Sequence, residues 1–481
     1  MIYLKMNTHD FENDVRVMTL AFYPGMKIVT DASMIEQCDM AIEVSVGSSY
    51  IEFSVKKKDY HGEIHFDFNT DDRKLIRNRL KRELYNVFSN DTGKKLPWGT
   101  LTGIRPTKIP YGLIEQGYDE SYIVNNLKNE YLMSDRKINL AIQVAHNEHR
   151  ILDDIDCKKG YSLYVGIPFC PTTCLYCSFT SYPLGMWKER VDDYLDALEK
   201  ELIFLGKYLK NKKADSVYIG GGTPTTLLPY QSDRLISCIE DNFNLDNIKE
   251  FTVEAGRPDS IDSSKLDVLR KHNIDRISIN PQTMNERTLS LIGRRHTTQD
   301  VIKAFWLARD KGFENINMDL IMGLPDENID DVRHTLEEVG KLSPDSLTVH
   351  SLAIKRAARL NIFKEKYANY SITNTDEIMN MTYDFAAASG MEPYYLYRQK
   401  NMAGSFENVG YSKPDKMGIY NMLIMEERQS IYAAGANAQS KIVYNDPPKV
   451  DRIENVKDVG DYIDRIDEMI ERKRRYFYAG I

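Results

Sequence analysis

The sequence predicts an α/β protein with a partial (β/α)6 barrel, an α+β domain before it and a small C-terminal extension after it. Between about residues 160 and 352, short apolar runs and helical stretches alternate six times. Such strand–helix repeats form parallel strands with right-handed crossovers. The first third instead shows the alternation of antiparallel strands, and a chain of 481 residues exceeds one ordinary core. We therefore expect three segments, at 1–155, 156–355 and 356–481.

The first segment is predicted to form an antiparallel meander, a long helix and a helical linker to residue 155. Apolar and polar residues alternate over 42–46, 51–55 and 64–68. The long helix starts near Asp72, and its apolar stripe comprises Leu75, Ile76, Leu80, Leu84 and Val87. Its other side is basic and comprises Arg73, Lys74, Arg77, Arg79, Lys81 and Arg82. We interpret the basic side as a solvated face; a surface for a partner or RNA is the alternative.

The second segment contains the six strand–helix repeats. Its strands are predicted over residues 161–167, 215–219, 250–255, 275–279, 315–321 and 346–352. Polar or glycine-rich sequences follow four consecutive strands, at 220–225, 254–257, 278–283 and 319–325. Singly, each is typical of a turn or a helix cap, and the three glycines at 220–222 fit either a tight turn or an anion-binding loop. Together, at the strand ends where α/β barrels carry their chemistry, they predict a binding site.

Three cysteines form the most specific motif, directly after the first of these strands. Cys170, Cys174 and Cys177 have the spacing C-x3-C-x2-C. Three thiolates can ligate three irons of a 4Fe–4S cluster and leave the fourth iron open to a small molecule, such as an amino acid's amine and carboxylate. A zinc site or buried thiols are the alternatives. Structural zinc usually takes paired C-x2-C units or Cys/His pairs, and no second pair occurs here.

Composition restricts the class of protein further. The other three cysteines, Cys38, Cys157 and Cys238, are scattered, which argues against a disulfide framework and fits a reducing cytoplasm. The N-terminus lacks the apolar segment of a signal peptide, and no apolar run approaches the ~20 residues of a membrane helix. A formal net charge of −8 argues against general nucleic-acid binding. We expect a cytoplasmic protein with no membrane partner.

The motifs together resemble a known family. Tyr-Val-Gly-Ile-Pro-Phe-Cys at 164–170, Gly-Gly-Gly-Thr-Pro-Thr at 220–225, Arg-Ile-Ser-Ile at 276–279 and Asp-Leu-Ile-Met-Gly-Leu-Pro at 319–325 occur in this order. They resemble the radical S-adenosylmethionine (SAM) proteins, and among these the oxygen-independent coproporphyrinogen III oxidases of the HemZ-type branch. The resemblance implies an oxidoreductase of porphyrin biosynthesis. It would carry a 4Fe–4S cluster, accept an electron from a flavodoxin- or ferredoxin-like donor and decarboxylate coproporphyrinogen III to protoporphyrinogen IX.

The resemblance also implies residue roles. The three cysteines would ligate the cluster. The first SAM would be bound by Tyr164, Tyr176, Gly221, Glu254 and Gln439. A second SAM, which relatives can hold, would be bound by Gly222, Thr223, Gln282, Arg294, Asp319 and Ala353. The carboxylates of the substrate need cations, for which the candidates by position are Arg257, Lys355, Arg356, Arg359 and Arg398.

The chain also departs from the family pattern. Gly166 stands where relatives usually carry His, and Phe179 where verified oxidases carry a further Cys; residues 280–283 read Asn-Pro-Gln-Thr instead of Gly-Val-Gln-Ser. Two other functions therefore stay open. One is a haem-binding chaperone, although residues 418–422 lack the His and Trp of that branch. The other is a radical SAM enzyme for methyl transfer or tRNA modification.

Overall fold

The structure is a computed structural model that describes all residues except 179–180, 356–357, 364, 366, 368, 400–401, 446–447 and 480–481. It divides into two compact units, residues 1–145 and 146–481. The division falls shortly before the expected boundary at 155/156, and the expected boundary at 355/356 has no counterpart in it. Among the described residues, no helix combines the length and apolarity needed to cross a bilayer.

The first unit is built on one mixed sheet. Its strands are β1 (Ile2–Met6), β2 (Ile28–Val29), β3 (Met40–Val46), β4 (Tyr50–Lys57) and β5 (Tyr60–Asp67), in the spatial order β2-β1-β3-β4-β5. The predicted antiparallel meander is β3–β4–β5, with Val44 opposite Phe53. The sequence analysis did not identify β1, which pairs in parallel with β3.

Helices cover this sheet and continue the chain toward the second unit. They are α1 (Glu12–Phe22), α2 (Arg73–Thr92), α3 (Lys108–Glu115), α4 (Glu120–Asn129) and α5 (Asp135–Leu152). The predicted stripe of α2 is buried except at Leu75, which is 53% exposed. Including Leu75 was wrong, because the stripe runs from Ile76 at helical spacing and position 75 is turned about 100° away from it.

The basic side of α2 makes its contacts inside the first unit. Arg73 pairs with Asp10 at 2.7 Å, and Arg79 donates to the Asp67 carbonyl at 2.8 Å. Arg82 pairs with Glu130. These contacts agree with the interpretation as an ordinary helix face, because they use the cationic groups of Arg73, Arg79 and Arg82 within the first unit.

The second unit contains the predicted barrel. Its strands are β6 (Tyr161–Ile167), β7 (Phe169–Cys170), β8 (Tyr182–Pro183), β9 (Ala214–Gly221), β10 (Glu250–Gly256), β11 (Arg276–Ile279), β12 (Ile316–Met322), β13 (Ser346–Ser351), β14 (Glu392–Tyr397), β15 (Asn408–Ser412), β16 (Ile431–Ala434), β17 (Gln439–Asn445) and β18 (Pro448–Glu454). The six predicted strands are parallel neighbours in the order β6-β9-β10-β11-β12-β13. This confirms the α/β fold with a partial barrel.

Helices connect the parallel strands, as right-handed crossovers require, and further helices belong to the C-terminal segment. They are α6 (Leu184–Trp187), α7 (Val191–Leu209), α8 (Pro229–Asn242), α9 (Ser263–Lys271), α10 (Glu286–Leu291), α11 (Thr298–Asp310), α12 (Ile329–Leu342), α13 (Arg359–Ile362), α14 (Asp376–Ala388), α15 (Ile419–Glu426), α16 (Val459–Asp464) and α17 (Ile466–Tyr478). The C-terminal segment extends both edges of the parallel sheet. On one edge β16 pairs in parallel with β6, and on the other β15 pairs antiparallel with β13. It is therefore part of the same sheet as the barrel.

Candidate active site at the ends of the parallel strands

A cavity of about 420 Å³ opens at the carboxyl ends of the parallel strands. It is lined by most of the residues that the sequence analysis selected, namely Tyr164, Cys170, Cys174, Tyr176, Cys177, Gly221, Gly222, Thr223, Glu254, Arg257, Gln282, Arg294, Asp319, Ala353 and Lys355. These positions span almost two hundred residues of sequence and meet because parallel strands end at one edge of a sheet.

Three selected residues do not line this cavity in the described chain. Gln439 lies on β17, where its amide donates to Glu454. Arg359 is exposed at the start of α13. Arg398 donates to the Ser405 carbonyl at 2.6 Å. Arg356 and also Phe179, the site of one family departure, lie outside the described residues.

The three cysteines of the loop share the cavity. None of the six cysteines of the chain forms a disulfide. Thr223 Oγ1 donates to Cys170 Sγ at 3.5 Å, and Cys177 Sγ lies 4.0 Å from Ser181 Oγ. Burial raises the pKa of the Cys170 thiol to about 11. A ligated iron would reverse that shift, because metal coordination deprotonates a thiol.

The three thiols are placed so that they could hold a cluster. Cys170, Cys174 and Cys177 line one cavity. Three thiolates can each bind a separate iron of a 4Fe–4S cluster and leave one iron for another ligand. Structural zinc usually takes paired Cys or Cys/His units, and the sequence has no second pair of this kind.

Arg257 fixes the cysteine loop to the end of β10. Its guanidinium is 3% exposed and bonds to both carboxylate oxygens of Asp259, at 2.9 and 2.6 Å. The same group donates to Thr172 Oγ1 at 2.7 Å and lies 4.0 Å from Cys174 Sγ. The contribution of Arg257 to substrate binding stays a prediction, and its contacts favour a structural role for the loop.

The three glycines at 220–222, at the end of β9, allow close packing against the strand that leads into the cysteine loop. The N–H groups of Gly222 and Thr223 donate to the Ile167 and Phe169 carbonyls, each at 2.7 Å. A Cβ on Gly222 would lie 2.6 Å from the Phe169 oxygen, and Gly221 has φ +108°. Of the two interpretations of these glycines, the tight turn is the one that the contacts support, because these two N–H groups are already used.

Two carboxylates in the cavity differ in protonation. Burial raises the pKa of Glu254 to about 7, against the opposing effect of a hydrogen bond from the Tyr218 hydroxyl. Burial would also raise the pKa of Asp319, but His350, Asn317 and Thr348 bring it below its ordinary value. Asn317 donates to Asp319 Oδ1 at 2.7 Å. At neutral pH, Glu254 is therefore poised to exchange a proton while Asp319 is ionised.

Backbone strain marks the neighbouring strand end. Gln282 has φ +69°, a left-handed conformation that non-glycine residues rarely adopt. Its N–H donates to the Asp319 carbonyl at 2.9 Å, and its carbonyl accepts from Ile321 at 3.0 Å. Arg294 donates to the Asn280 carbonyl at 2.5 Å and to the Tyr176 hydroxyl at 3.3 Å. These contacts fix the backbone of Gln282 and the side chain of Arg294 at the wall of the cavity.

One wall of the cavity is aromatic, and of its tyrosines only Tyr164 was selected from the sequence. The rings of Tyr218 and Tyr420 stack at 4.4 Å with an interplanar angle of 19°, and Tyr164 lies 6.3 Å from each. Tyr395 and Tyr397 of β14 form a second stacked pair at 6.4 Å. All five line the cavity. In the sequence, only the three tyrosines among residues 394–397 indicated this wall. Tyr420 gave no local indication, because it belongs to a helix that reaches the site through tertiary packing.

Comparisons with known proteins agree with this architecture. Residues 164–339 match the Radical SAM superfamily. The chain is 42% identical to the oxygen-independent coproporphyrinogen-III oxidase-like protein HemZ of Bacillus subtilis, over 84% of this chain and 81% of that protein. It is 36% identical to the heme chaperone HemW of Bacillus subtilis, over 40% of this chain and 51% of that protein. The solved structure of coproporphyrinogen III oxidase (HemN) from Escherichia coli, a radical SAM enzyme, matches with a TM-score of 0.52 and 25% identity, covering 66% of this chain and 72% of that one.

Proposed function

Since the chain belongs to the oxygen-independent coproporphyrinogen-III oxidase-like family of radical SAM proteins, of HemZ type, we propose that it converts coproporphyrinogen III to protoporphyrinogen IX without oxygen. Each of two propionate side chains would give up a hydrogen atom to the adenosyl group of SAM and one electron to an external one-electron acceptor, would lose carbon dioxide, and would become a vinyl group. The 42% identity to HemZ and the fold shared with HemN support this proposal.

The observation that carries the proposal is the composition of one cavity. Three thiols, one carboxyl of raised pKa and one ionised carboxylate line the same space. Cys170, Cys174 and Cys177 would hold the cluster. When bound, the reduced cluster and SAM supply a one-electron chemistry able to remove hydrogen from an unactivated carbon.

The other residues bind, orient and exclude water in this proposal. Ionised Asp319 suits the hydroxyls of a ribose, and Glu254 suits the amine or hydroxyl groups of the first SAM. The second SAM site is a further part of the proposal, supported by the position of Gln282 and Arg294 at the cavity wall. The stacked rings of Tyr164, Tyr218 and Tyr420 cover one side of the cavity and keep water from the reacting groups.

The proposed substrate is a large macrocycle with four carboxylates, which matches two features of the cavity. The tyrosines of β14 and α15 offer flat apolar surface for pyrrole rings. Lys355 lines the cavity and is half-buried, and burial lowers the pKa of its amine, so a carboxylate there would meet a poorly solvated cation. Of the four candidate cations that the structure describes, Lys355 and Arg257 line the cavity.

The test is an anaerobic assay of reconstituted protein with coproporphyrinogen III, SAM and a reductant. We expect carbon dioxide release and a monovinyl compound before protoporphyrinogen IX. A protein that cleaves SAM with every donor yet never releases carbon dioxide from coproporphyrinogen III would contradict the proposed substrate.

A haem-binding chaperone is the second candidate, because the chain is 36% identical to the heme chaperone HemW of Bacillus subtilis over 40% of its length. In this chain Tyr420 occupies the C-terminal segment in which that branch carries its His and Trp. Tyr420 is 4% exposed and stacked in the wall of the cavity. Haem titration distinguishes the two functions: tight stoichiometric haem binding without decarboxylation would favour the chaperone.

A further inference from the structure

A buried charged cluster joins the last helix to the barrel. The side chains of Glu201 on α7 and Lys473 on α17 are both 0% exposed and form an ion pair. Glu201 also accepts a hydrogen bond from the Tyr462 hydroxyl at 2.6 Å and from the Asn455 amide at 2.8 Å. Buried ion pairs are often no more stabilising than apolar residues of the same size, so a contribution to stability alone does not account for this cluster.

The cluster holds the backbone of residues 433–437, which comprise the end of β16 and the turn after it and are called the loop at 433–437 below. The N–H of Gly435 donates to Glu201 Oε2 at 2.9 Å, and its carbonyl accepts from Asn455 Nδ2 at 2.8 Å. Lys473 Nζ donates to the Ala433 carbonyl at 2.6 Å. Both polar groups of the Gly435 backbone are therefore fixed by the cluster.

The same loop is tied to the end of β6, the strand that leads into the cysteine loop. The Tyr194 hydroxyl donates to the Gly166 carbonyl at 2.6 Å and accepts from the N–H of Ala436 at 3.1 Å. Gly435 has φ +110°, and a Cβ there would lie 2.6 Å from the Gly166 oxygen. The loop thus lies against β6 at a separation that a larger residue would prevent.

The held loop forms one side of a small cavity. This cavity of about 50 Å³ is lined by Ala436 and Asn437 of the loop and, opposite them, by Tyr164, Gly166 and Gly221 among others. Tyr164 and Gly221 also line the main cavity, where we place the first SAM. A shift of the loop would therefore change the space next to Tyr164 and Gly221.

We propose that the Glu201–Lys473 pair is a positioning device that holds the loop at 433–437 as a wall of the first SAM site, so that α17 controls SAM affinity without touching SAM. The inference rests on the proposed function, in particular on SAM next to Tyr164 and Gly221. A pair with a structural role alone would change the melting temperature and leave the affinity of the folded protein unchanged.

The test measures anaerobic SAM binding by equilibrium dialysis on the full chain with its cluster reconstituted. Iron, sulfide and melting temperature are measured on the same samples. One variant, Glu201→Leu with Lys473→Met, removes both charges together, so neither is left buried and alone. The other, Tyr194→Phe, removes only the hydroxyl that bridges Gly166 and Ala436. The control, Asp193→Asn with Arg475→Met, changes exposed charges on the same two helices.

We expect both test variants to keep wild-type iron and sulfide and to bind SAM about tenfold more weakly, the effect of losing one or two buried hydrogen bonds at a site. The control should bind SAM as the wild type does. If Tyr194→Phe and the charge-free variant both bind SAM with wild-type affinity, the inference is overturned. If the charge-free variant does not fold, the SAM affinity of Tyr194→Phe decides alone. Absence of SAM binding by the wild-type protein would instead overturn the proposed function, and this inference with it.

Discussion

The ends of the six parallel strands and the C-terminal segment line the same cavity but contribute by different physical means. The strand ends bring chemically active groups such as Cys170, Glu254 and Asp319 from short motifs. The C-terminal segment brings tyrosines and a loop held by buried polar contacts over long sequence distances, such as Lys473 with Glu201. Short sequence motifs therefore supply the reactive groups of the cavity, whereas packing between distant segments supplies its walls.

The largest expected effect tests the strand-end side of this comparison. Replacing Cys170, Cys174 or Cys177 by Ala should abolish cluster binding, because each thiolate would hold its own iron. Anaerobically reconstituted wild-type protein should contain about four irons and four sulfides. Colorimetric iron and sulfide analysis measures both.

Matched controls are Cys38→Ala, Cys157→Ala and Cys238→Ala, which should bind the full cluster. Stoichiometric zinc without sulfide in anaerobically purified protein would be incompatible with the assignment.

The next effect concerns Arg257, which joins the cysteine loop to β10. Arg257→Leu removes the contact with Thr172 and both hydrogen bonds to Asp259, so we expect iron content to fall by about half or more and proteolysis near the loop to increase. Arg287→Leu, which changes an exposed arginine bonded to the Asp326 carbonyl, is the control. If Arg257→Leu keeps its full cluster and loses only substrate affinity, Arg257 contacts the substrate after all.

A third prediction uses the raised pKa of Glu254. An acid with a folded pKa of about 7 and an ordinary value of 4.5 favours the folded state below pH 4.5, and this stability is lost as pH rises through 7. Glu254→Gln should therefore stabilise the cluster-free protein more at pH 8 than at pH 5, by on the order of 3 kcal/mol. Urea unfolding at the two pH values measures the difference.

Glu189→Gln, at an exposed position, is the control and should show no such difference. An equal effect of Glu254→Gln at pH 5 and pH 8 would contradict the raised pKa.

The smallest expected effect sharpens the C-terminal side of the comparison. Tyr420→Leu removes a flat ring that would face the pyrrole rings of the porphyrinogen, a contact worth about 1 kcal/mol, so KM for the porphyrinogen should rise roughly fivefold. Iron content and SAM affinity should stay unchanged, since Tyr420 on α15 would contact the porphyrinogen and does not belong to the loop at 433–437 that we place beside the first SAM. Tyr444→Leu, at an exposed tyrosine, is the control. Loss of the cluster in Tyr420→Leu would show that the two regions are not separable.

The sequence predicted the barrel well because parallel, fully buried strands and their helices have strong local patterns. The cysteine loop and the strand-end polar residues were found together because both depend on short segments at fixed topological positions. Gln439 was assigned to the first SAM site from the family resemblance alone, and in the structure its amide donates to Glu454 on the neighbouring strand.

Contacts between distant segments could not be predicted in this way. The burial of Lys473 follows from its position after Ile466 and Met469 on the buried stripe of α17, but its partner is 272 residues away. Arg257 was selected as a cation for substrate because the sequence around it does not show that its guanidinium donates hydrogen bonds to Asp259 and Thr172. The parallel strand β1 was missed because its pairing with β3 depends on a helix and a loop between them.

The most direct test of the central claim follows hydrogen from the substrate. Coproporphyrinogen III deuterated at the propionate carbon next to the ring would be incubated anaerobically with reconstituted protein, SAM and a reductant, and 5′-deoxyadenosine would be analysed by mass spectrometry. We predict deuterium in 5′-deoxyadenosine in step with carbon dioxide release and vinyl formation. Unlabelled 5′-deoxyadenosine with unchanged coproporphyrinogen III would contradict the proposed reaction.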